Sequence, residues 1–224
     1  MQAFARLAII LIFALSSMMM SPDPTRVVFF GDSITEMGAD PDGYIVQLRA
    51  MLDSAGISDR FELIGAGVGG NKVFDLCQRM EQDVLAKSPE VVVVFIGVND
   101  VWHPRMQGTA PDPDSFAQLY ESLLSRLQAK GIRVILATPA CIGEKTDGSN
   151  DMDEDLNHFA QITRDLTAKY MCGLVDLREA FLRHDSENNP KNLDRGILTT
   201  DGVHFSKAGN TLAARRFYHA LVSD

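Results

Sequence analysis

The segment Val91-Val92-Val93-Val94-Phe95-Ile96 is an unbroken apolar run with no polar residue inside it. A strand with one wet face alternates apolar and polar side chains, so a continuous run rich in β-branched residues belongs to a strand buried on both faces. Such a strand needs helices above and below its sheet, and the remaining sequence supplies them. Shorter apolar runs at residues 27–30, 61–64, 134–137 and 174–175 give four more candidate strands. Between them, Phe116, Leu119, Tyr120, Leu123, Leu124 and Leu127 recur at helical spacing after Asp114, a suitable N-cap. Leu156, Phe159, Ile162, Leu166 and Tyr170 form a similar stripe, and Ala213, Phe217, Ala220 and Leu221 form another near the end. Strands alternating with amphipathic helices predict an α/β fold built on a parallel sheet.

A chain of 224 residues, 46% of them hydrophobic, can bury one substantial core and is expected to be one domain. Its formal charge of -9, with no Lys/Arg cluster, opposes a phosphate backbone and excludes nucleic acid as a partner. Arg6 is followed by an apolar stretch over residues 7–15 and then by small and polar residues leading to Ser21-Pro22-Asp23-Pro24. That order is the one found in secretory signals, and the stretch falls short of the ~20 residues a membrane span requires. Residues 1–25 are therefore expected to be a signal peptide and linker, with the folded domain over residues 26–224, exported and not inserted in a membrane. No Ala-x-Ala cleavage site follows the apolar stretch, so a cytosolic product starting at Met18, Met19 or Met20 is the alternative. Cys77, Cys141 and Cys172 form no Cys-x-x-Cys pair and no zinc spacing, and are expected to be buried free thiols. Oligomeric state is not legible.

In open α/β sheets, ligands bind beyond the carboxyl ends of the strands. The segments there are Gly31-Asp32-Ser33-Ile34-Thr35, Gly65-Ala66-Gly67-Val68-Gly69-Gly70-Asn71, Gly97-Val98-Asn99-Asp100 and Thr138-Pro139-Ala140. Ser33 follows a strand and precedes a helix starting near Gly43, which puts its hydroxyl on the rim. A serine in such a turn is ordinarily a cap; it becomes a nucleophile only with a base in reach and a third group fixing that base's tautomer. Asp201-Gly202-Val203-His204 offers both, because three residues on a turn let the carboxylate accept from one ring nitrogen while the other faces the serine. His184 beside Asp185 is set aside, since adjacent side chains diverge. Acyl transfer also needs donors for an oxyanion, for which the N–H of Ser33, the N–H of Gly70 and the side-chain amide of Asn99 are suited. Each also has an ordinary reading as a turn residue. The stretches 103–113 and 143–155 read as surface loops near the same rim, with Lys145 a solvated charge and Trp102 either a packing residue or an aromatic face for a sugar or acyl group.

Taken in order, these segments resemble the blocks of the SGNH hydrolases, the GDSL-like esterases, lipases and acylhydrolases. Phe30-Gly31-Asp32-Ser33-Ile34-Thr35 is similar to the first block, with Ile34 in place of leucine; Gly67-Val68-Gly69-Gly70-Asn71, Gly97-Val98-Asn99-Asp100 and Asp201-Gly202-Val203-His204 resemble three others. The resemblance covers about residues 26–221. It implies a flavodoxin-like three-layer α/β/α sandwich with a five-stranded parallel sheet. It further implies Ser33 as nucleophile, His204 as base and then acid, Asp201 as its partner, and an oxyanion hole of Ser33, Asn99 and Gly70, or Gly69 after a one-residue shift. No cofactor and no metal are implied. The expected activity is hydrolysis of small carboxylic esters through an acyl-serine, and the lack of a long apolar lid favours short acyl groups such as acetate on carbohydrate or another small alcohol. A lysophospholipase or thioesterase, or a non-catalytic carbohydrate- or lipid-binding module, are the alternatives. Gly65-x-Gly67-x-x-Gly70 matches a dinucleotide fingerprint, but a strand precedes its own strand and Asn99, not an acid, ends the next, so nucleotide binding is set aside.

Overall fold

The structure is a computed structural model describing residues 23–223. The expected signal peptide lies outside the described residues; Thr25, assigned from the sequence to the linker, opens the first strand. Strands β1 (Thr25–Gly31), β2 (Phe61–Gly67), β3 (Val91–Phe95), β4 (Arg133–Ala137) and β5 (Gly173–Val175) form one parallel sheet in the order β2-β1-β3-β4-β5. All five expected strands are present. β3, central and buried at every position, is the strand that the Val91 run predicts.

The strands end level. Gly31 lies opposite both Gly67 and Phe95, Phe95 opposite Ala137, and Ala137 opposite Val175. From β1 the chain turns to β2 on one side and then crosses to β3 on the other, so the topological switch falls between β1 and β3, the position where open sheets open a ligand crevice.

The helices are α1 (Ser33–Gly38), α2 (Tyr44–Ser54), α3 (Val73–Asp83), α4 (Val98–Met106), α5 (Pro113–Gln128), α6 (Asp153–Tyr170), α7 (Leu177–Asn188) and α8 (Lys207–Val222). α2 packs on α8 over one face, while α3 packs on α5 and α5 on α6 over the other. The strand period assigns side chains to these layers. Phe29 meets Tyr44 of α2 and Phe217 of α8 edge-on, with ring centroids 5.8 and 5.6 Å away, whereas the Phe30 ring lies under Arg79 of α3. On the second layer, Phe116 packs against Phe159 at 4.7 Å. The expected stripes are these buried faces.

Three local readings change. Ser33 does not merely precede a helix but begins one, the six-residue α1, before α2 starts after Gly43 as expected. The cap of α5 is Asp112, which accepts from the Ser115 N–H, because Pro113 lacks an N–H and its fixed φ suits the first helical position. The stretches 103–113 and 143–155 are only partly loop: α4 runs through Pro104 to Met106, and α6 starts at Asp153.

α1 lies directly on the end of β2. A Cβ on Gly67 would fall 2.0 Å from the Glu36 backbone nitrogen and 2.5 Å from the Thr35 carbonyl carbon, so this position accepts no side chain without displacing the helix that carries Ser33. Gly67→Ala is expected to destabilise the fold by about 1–3 kcal/mol, the usual cost of overpacking. Urea unfolding monitored by circular dichroism checks this; an unchanged midpoint would show that α1 moves freely.

Candidate active site

The Ser33 turn is fixed from both sides. Asp32 caps α1, its Oδ1 accepting from the Ile34 N–H at 3.0 Å, and Thr35 takes the buried Tyr44 hydroxyl at 3.1 Å. As the first residue of a helix, Ser33 has no intrahelical acceptor for its N–H. Below the turn, Arg79 donates to the Gly31 carbonyl at 2.7 Å, to the Ala66 carbonyl at 3.0 Å and to Asn71 Oδ1 at 2.6 Å. Its guanidinium also sits 4.5 Å over the Phe30 ring. One side chain thereby ties the ends of β1 and β2 to the loop between β2 and α3.

Ser33 Oγ lies 2.9 Å from His204 Nε2, and His204 Nδ1 lies 2.7 Å from Asp201 Oδ2. The other Asp201 oxygen accepts from the N–H groups of Val203 at 2.9 Å and His204 at 2.8 Å. Burial pushes the Asp201 carboxyl upward, but its hydrogen bonds with the His204 ring and these two N–H groups outweigh that, and it titrates below the usual carboxylate value. The adjacent residue, Phe205, is buried between Phe95 of β3 at 6.1 Å and Phe181 of α7 at 4.8 Å, anchoring the turn to the core. His204 and Ser33 themselves remain half-buried, open to a substrate. No hydrogen bond joins His184 to Asp185.

The segment after β3 turns at Gly97, whose φ of +123° favours glycine, into α4. This buries Asn99, whose Nδ2 donates to the Asn71 carbonyl at 3.1 Å, while Asp100 Oδ1 accepts from the Val73 N–H at 3.2 Å. Of the two candidate glycines, Gly69 lies against Ser33, a Cβ there falling 4.0 Å from that of Ser33; Gly70, with φ +75°, turns toward His103. Trp102 is half-buried and meets the His204 ring edge-on at 6.5 Å, so α4 walls the site.

Three charged residues that hold this region together are not legible in the sequence. Arg79 lies on α3, a helix not foreseen from the sequence, and its side chain is 16% exposed. Glu144 and Arg178 are each 1% exposed, although Glu144 lies in a stretch expected to be a surface loop. Arg178 donates to the Ala140 carbonyl, Asn157 Oδ1 and Asp153 Oδ1, fixing the segment after β4. Lys145 lines a cavity of about 190 Å³ with Arg178 and Asp185, none of them residues of the Ser33–His204 pair. The three cysteines are free, but only Cys141 is fully buried; Cys77 and Cys172 are half-buried, because α3 and the end of α6 leave them at the edge of the core. Among the described residues, no group of three or more His, Cys, Asp or Glu side chains is placed to hold a metal ion.

A parallel α/β sheet carrying a linked serine, histidine and aspartate at its switch point is the arrangement of a serine ester hydrolase. The chain belongs to the GDSL-like Lipase/Acylhydrolase family, whose model matches residues 29–212. It is 29% identical to the acetylxylan esterase of Geobacillus stearothermophilus, over 88% of this chain and 93% of that protein. Among solved structures, an acetyl xylan esterase superposes with a TM-score of 0.85 at 50% identity, covering 88% of this chain and all of the other. LAE5, an alpha/beta hydrolase enzyme from the metagenome of Lake Arreo, Spain, superposes with a TM-score of 0.76 at 28% identity, over 88% of this chain and 94% of its own.

Burial pushes Asp32 from 3.8 up to about 7, against the pull of the Ile34 N–H and of His204. The native state then keeps a proton that the unfolded chain has released, so Asp32 lowers stability progressively as pH rises from about 4 to about 7. Asp32→Asn retains the acceptor for Ile34 and cannot ionise. Relative to this variant, the parent should lose up to about 4 kcal/mol between acid and mildly alkaline pH. Urea unfolding at a series of pH values tests it, and a constant difference between the two proteins would contradict the shift.

Proposed function

We propose that the enzyme removes acetyl groups from acetylated xylan fragments through an acetyl-serine intermediate. The observation that carries this reading is the hydrogen-bonded chain from Ser33 Oγ through His204 to Asp201, at 2.9 and 2.7 Å. His204 Nε2 takes the Ser33 proton as Oγ attacks the acetyl carbonyl, then returns it to the departing sugar oxygen. Asp201 holds the Nδ1–H tautomer and stabilises the imidazolium. The oxyanion is met by the Ser33 N–H, by the N–H of Gly70 or Gly69, and by the Asn99 amide, which has a second hydrogen beyond the one given to Asn71. Water then repeats the sequence on the acetyl-enzyme.

Acetate on xylan is favoured by the names of two relatives, each an acetylxylan esterase, and by the half-exposed serine, which suits an acetyl group projecting from a sugar chain. Trp102, beside His204, is placed to stack on a sugar ring. An export signal at residues 1–25 would bring the enzyme to such a polymer outside the cell.

Release of acetate from acetylated xylo-oligosaccharides, and hydrolysis of p-nitrophenyl acetate in preference to the decanoate, are expected and should vanish in Ser33→Ala. Preference for the long ester would instead point to a lysophospholipase-like activity. Asn99→Ala should lower kcat by roughly 10²–10³, the usual effect of removing one oxyanion donor; an unchanged kcat takes Asn99 out of the site. Trp102→Ala should raise KM for the oligosaccharide by about tenfold, equivalent to about 1.4 kcal/mol of stacking, with p-nitrophenyl acetate little affected. Equal effects on both substrates would count against sugar stacking.

A further inference from the structure

Glu144 sits after β4 on a segment that touches neither Ser33 nor His204 by any hydrogen bond, yet its carboxylate is wholly enclosed. Three successive backbone N–H groups converge on it: Ile197 on Oε2 at 2.8 Å, Leu198 on Oε1 at 2.6 Å and Thr199 on Oε1 at 2.5 Å. Three successive N–H groups converging on one carboxylate make a concave, nest-like anion site. Burial and the neighbouring Glu144 carboxylate push Asp185 up to about 7, with Arg178 opposing.

The held segment leads straight into the acid–base turn. Thr199 Oγ1 accepts from the Gly202 N–H at 3.1 Å, and the Gly202 carbonyl accepts from the Gly143 N–H at 2.8 Å, next to Glu144 itself. Thr199 pairs with Phe205, and the Leu198 carbonyl accepts from Ser206 at 2.8 Å. Asp201 and His204 thus follow directly on residues whose backbone Glu144 holds, and the far side of the turn pairs back onto those same residues.

We propose that Glu144 is a positioning residue for the reaction: by holding the backbone of Ile197, Leu198 and Thr199 it sets the reach of His204 to Ser33. The proposal rests on the reading of Ser33 and His204 as the reacting pair. Glu144→Gln keeps shape and one acceptor but turns an amide donor toward a backbone N–H, so the nest opens. A displacement of about 1 Å at a reacting group lowers rate roughly 10²-fold.

The test is a double-mutant cycle on p-nitrophenyl acetate with kcat and KM measured separately, each protein's folded fraction being fixed by its thermal unfolding curve. Glu144→Gln is expected to lower kcat by about 10² with KM within about twofold. In a His204→Ala background the same substitution should change kcat less than about threefold, because its effect passes through His204. Thr199→Val, which removes only the Oγ1 link to Gly202, should show the same dependence on background and serves if Glu144→Gln folds poorly. An equal loss in both backgrounds, or no loss in either, overturns the role of Glu144. If His204→Ala itself retains full kcat, it is the reading of the reacting pair that fails, a result distinct from the first.

Discussion

Hydrogen bonding between β1 and its two neighbours sets Gly31 opposite both Gly67 and Phe95, and the site hangs from that register. Ser33, the glycines Gly69 and Gly70, and Asn99 all follow within a few residues of those three partners. A slip by one residue would move a segment by about 3.3 Å and turn its side chains to the other face of the sheet, far beyond what a reacting geometry tolerates. The buried faces of β1 and β3 forbid the slip, since Phe29 belongs with Tyr44 and Phe217 on one layer and Phe30 with Arg79 on the other. Core packing and site geometry are in this sense the same constraint.

At and beyond the strand ends, charged side chains largely withdrawn from solvent bind the backbone polar groups. Arg79 serves the carbonyls of Gly31 and Ala66, Arg178 that of Ala140, and Glu144 the N–H groups of residues 197–199. Burying a charge is expensive unless its hydrogen-bonding capacity is filled, and each of these is multiply bonded. Their multiple partners make them fasteners between segments distant in sequence, a task an apolar side chain, having no direction, performs poorly.

What the sequence disclosed follows from this division. Strands and helical stripes were readable because apolar periodicity reports a side chain's own burial, and Ser33, Asn99, Asp201 and His204 stood out as candidates because their segments follow one another in the order of one family's blocks. Glu144 and Arg79 were not, because a charged residue in a polar stretch is ordinarily solvated and only the fold reveals the backbone groups that enclose it. Local boundaries failed for a similar reason: Asp112 and Asp114 are both plausible caps of α5, and Pro113 decides between them. The six-residue α1 has too few positions to show a period at all.

Asp201 and His204 are bound to one another by their own turn, through the ring and two backbone N–H groups. The pair is therefore joined locally, whatever holds its turn in place within the fold. Ser33, 171 residues from His204, has to meet one body and not two. The entropy of closing such a loop rises only logarithmically with its length, so the long detour through the whole domain adds little to what a shorter one would demand. Three functional groups thus require a single chain closure, and the folding problem posed by the site is that of a pair.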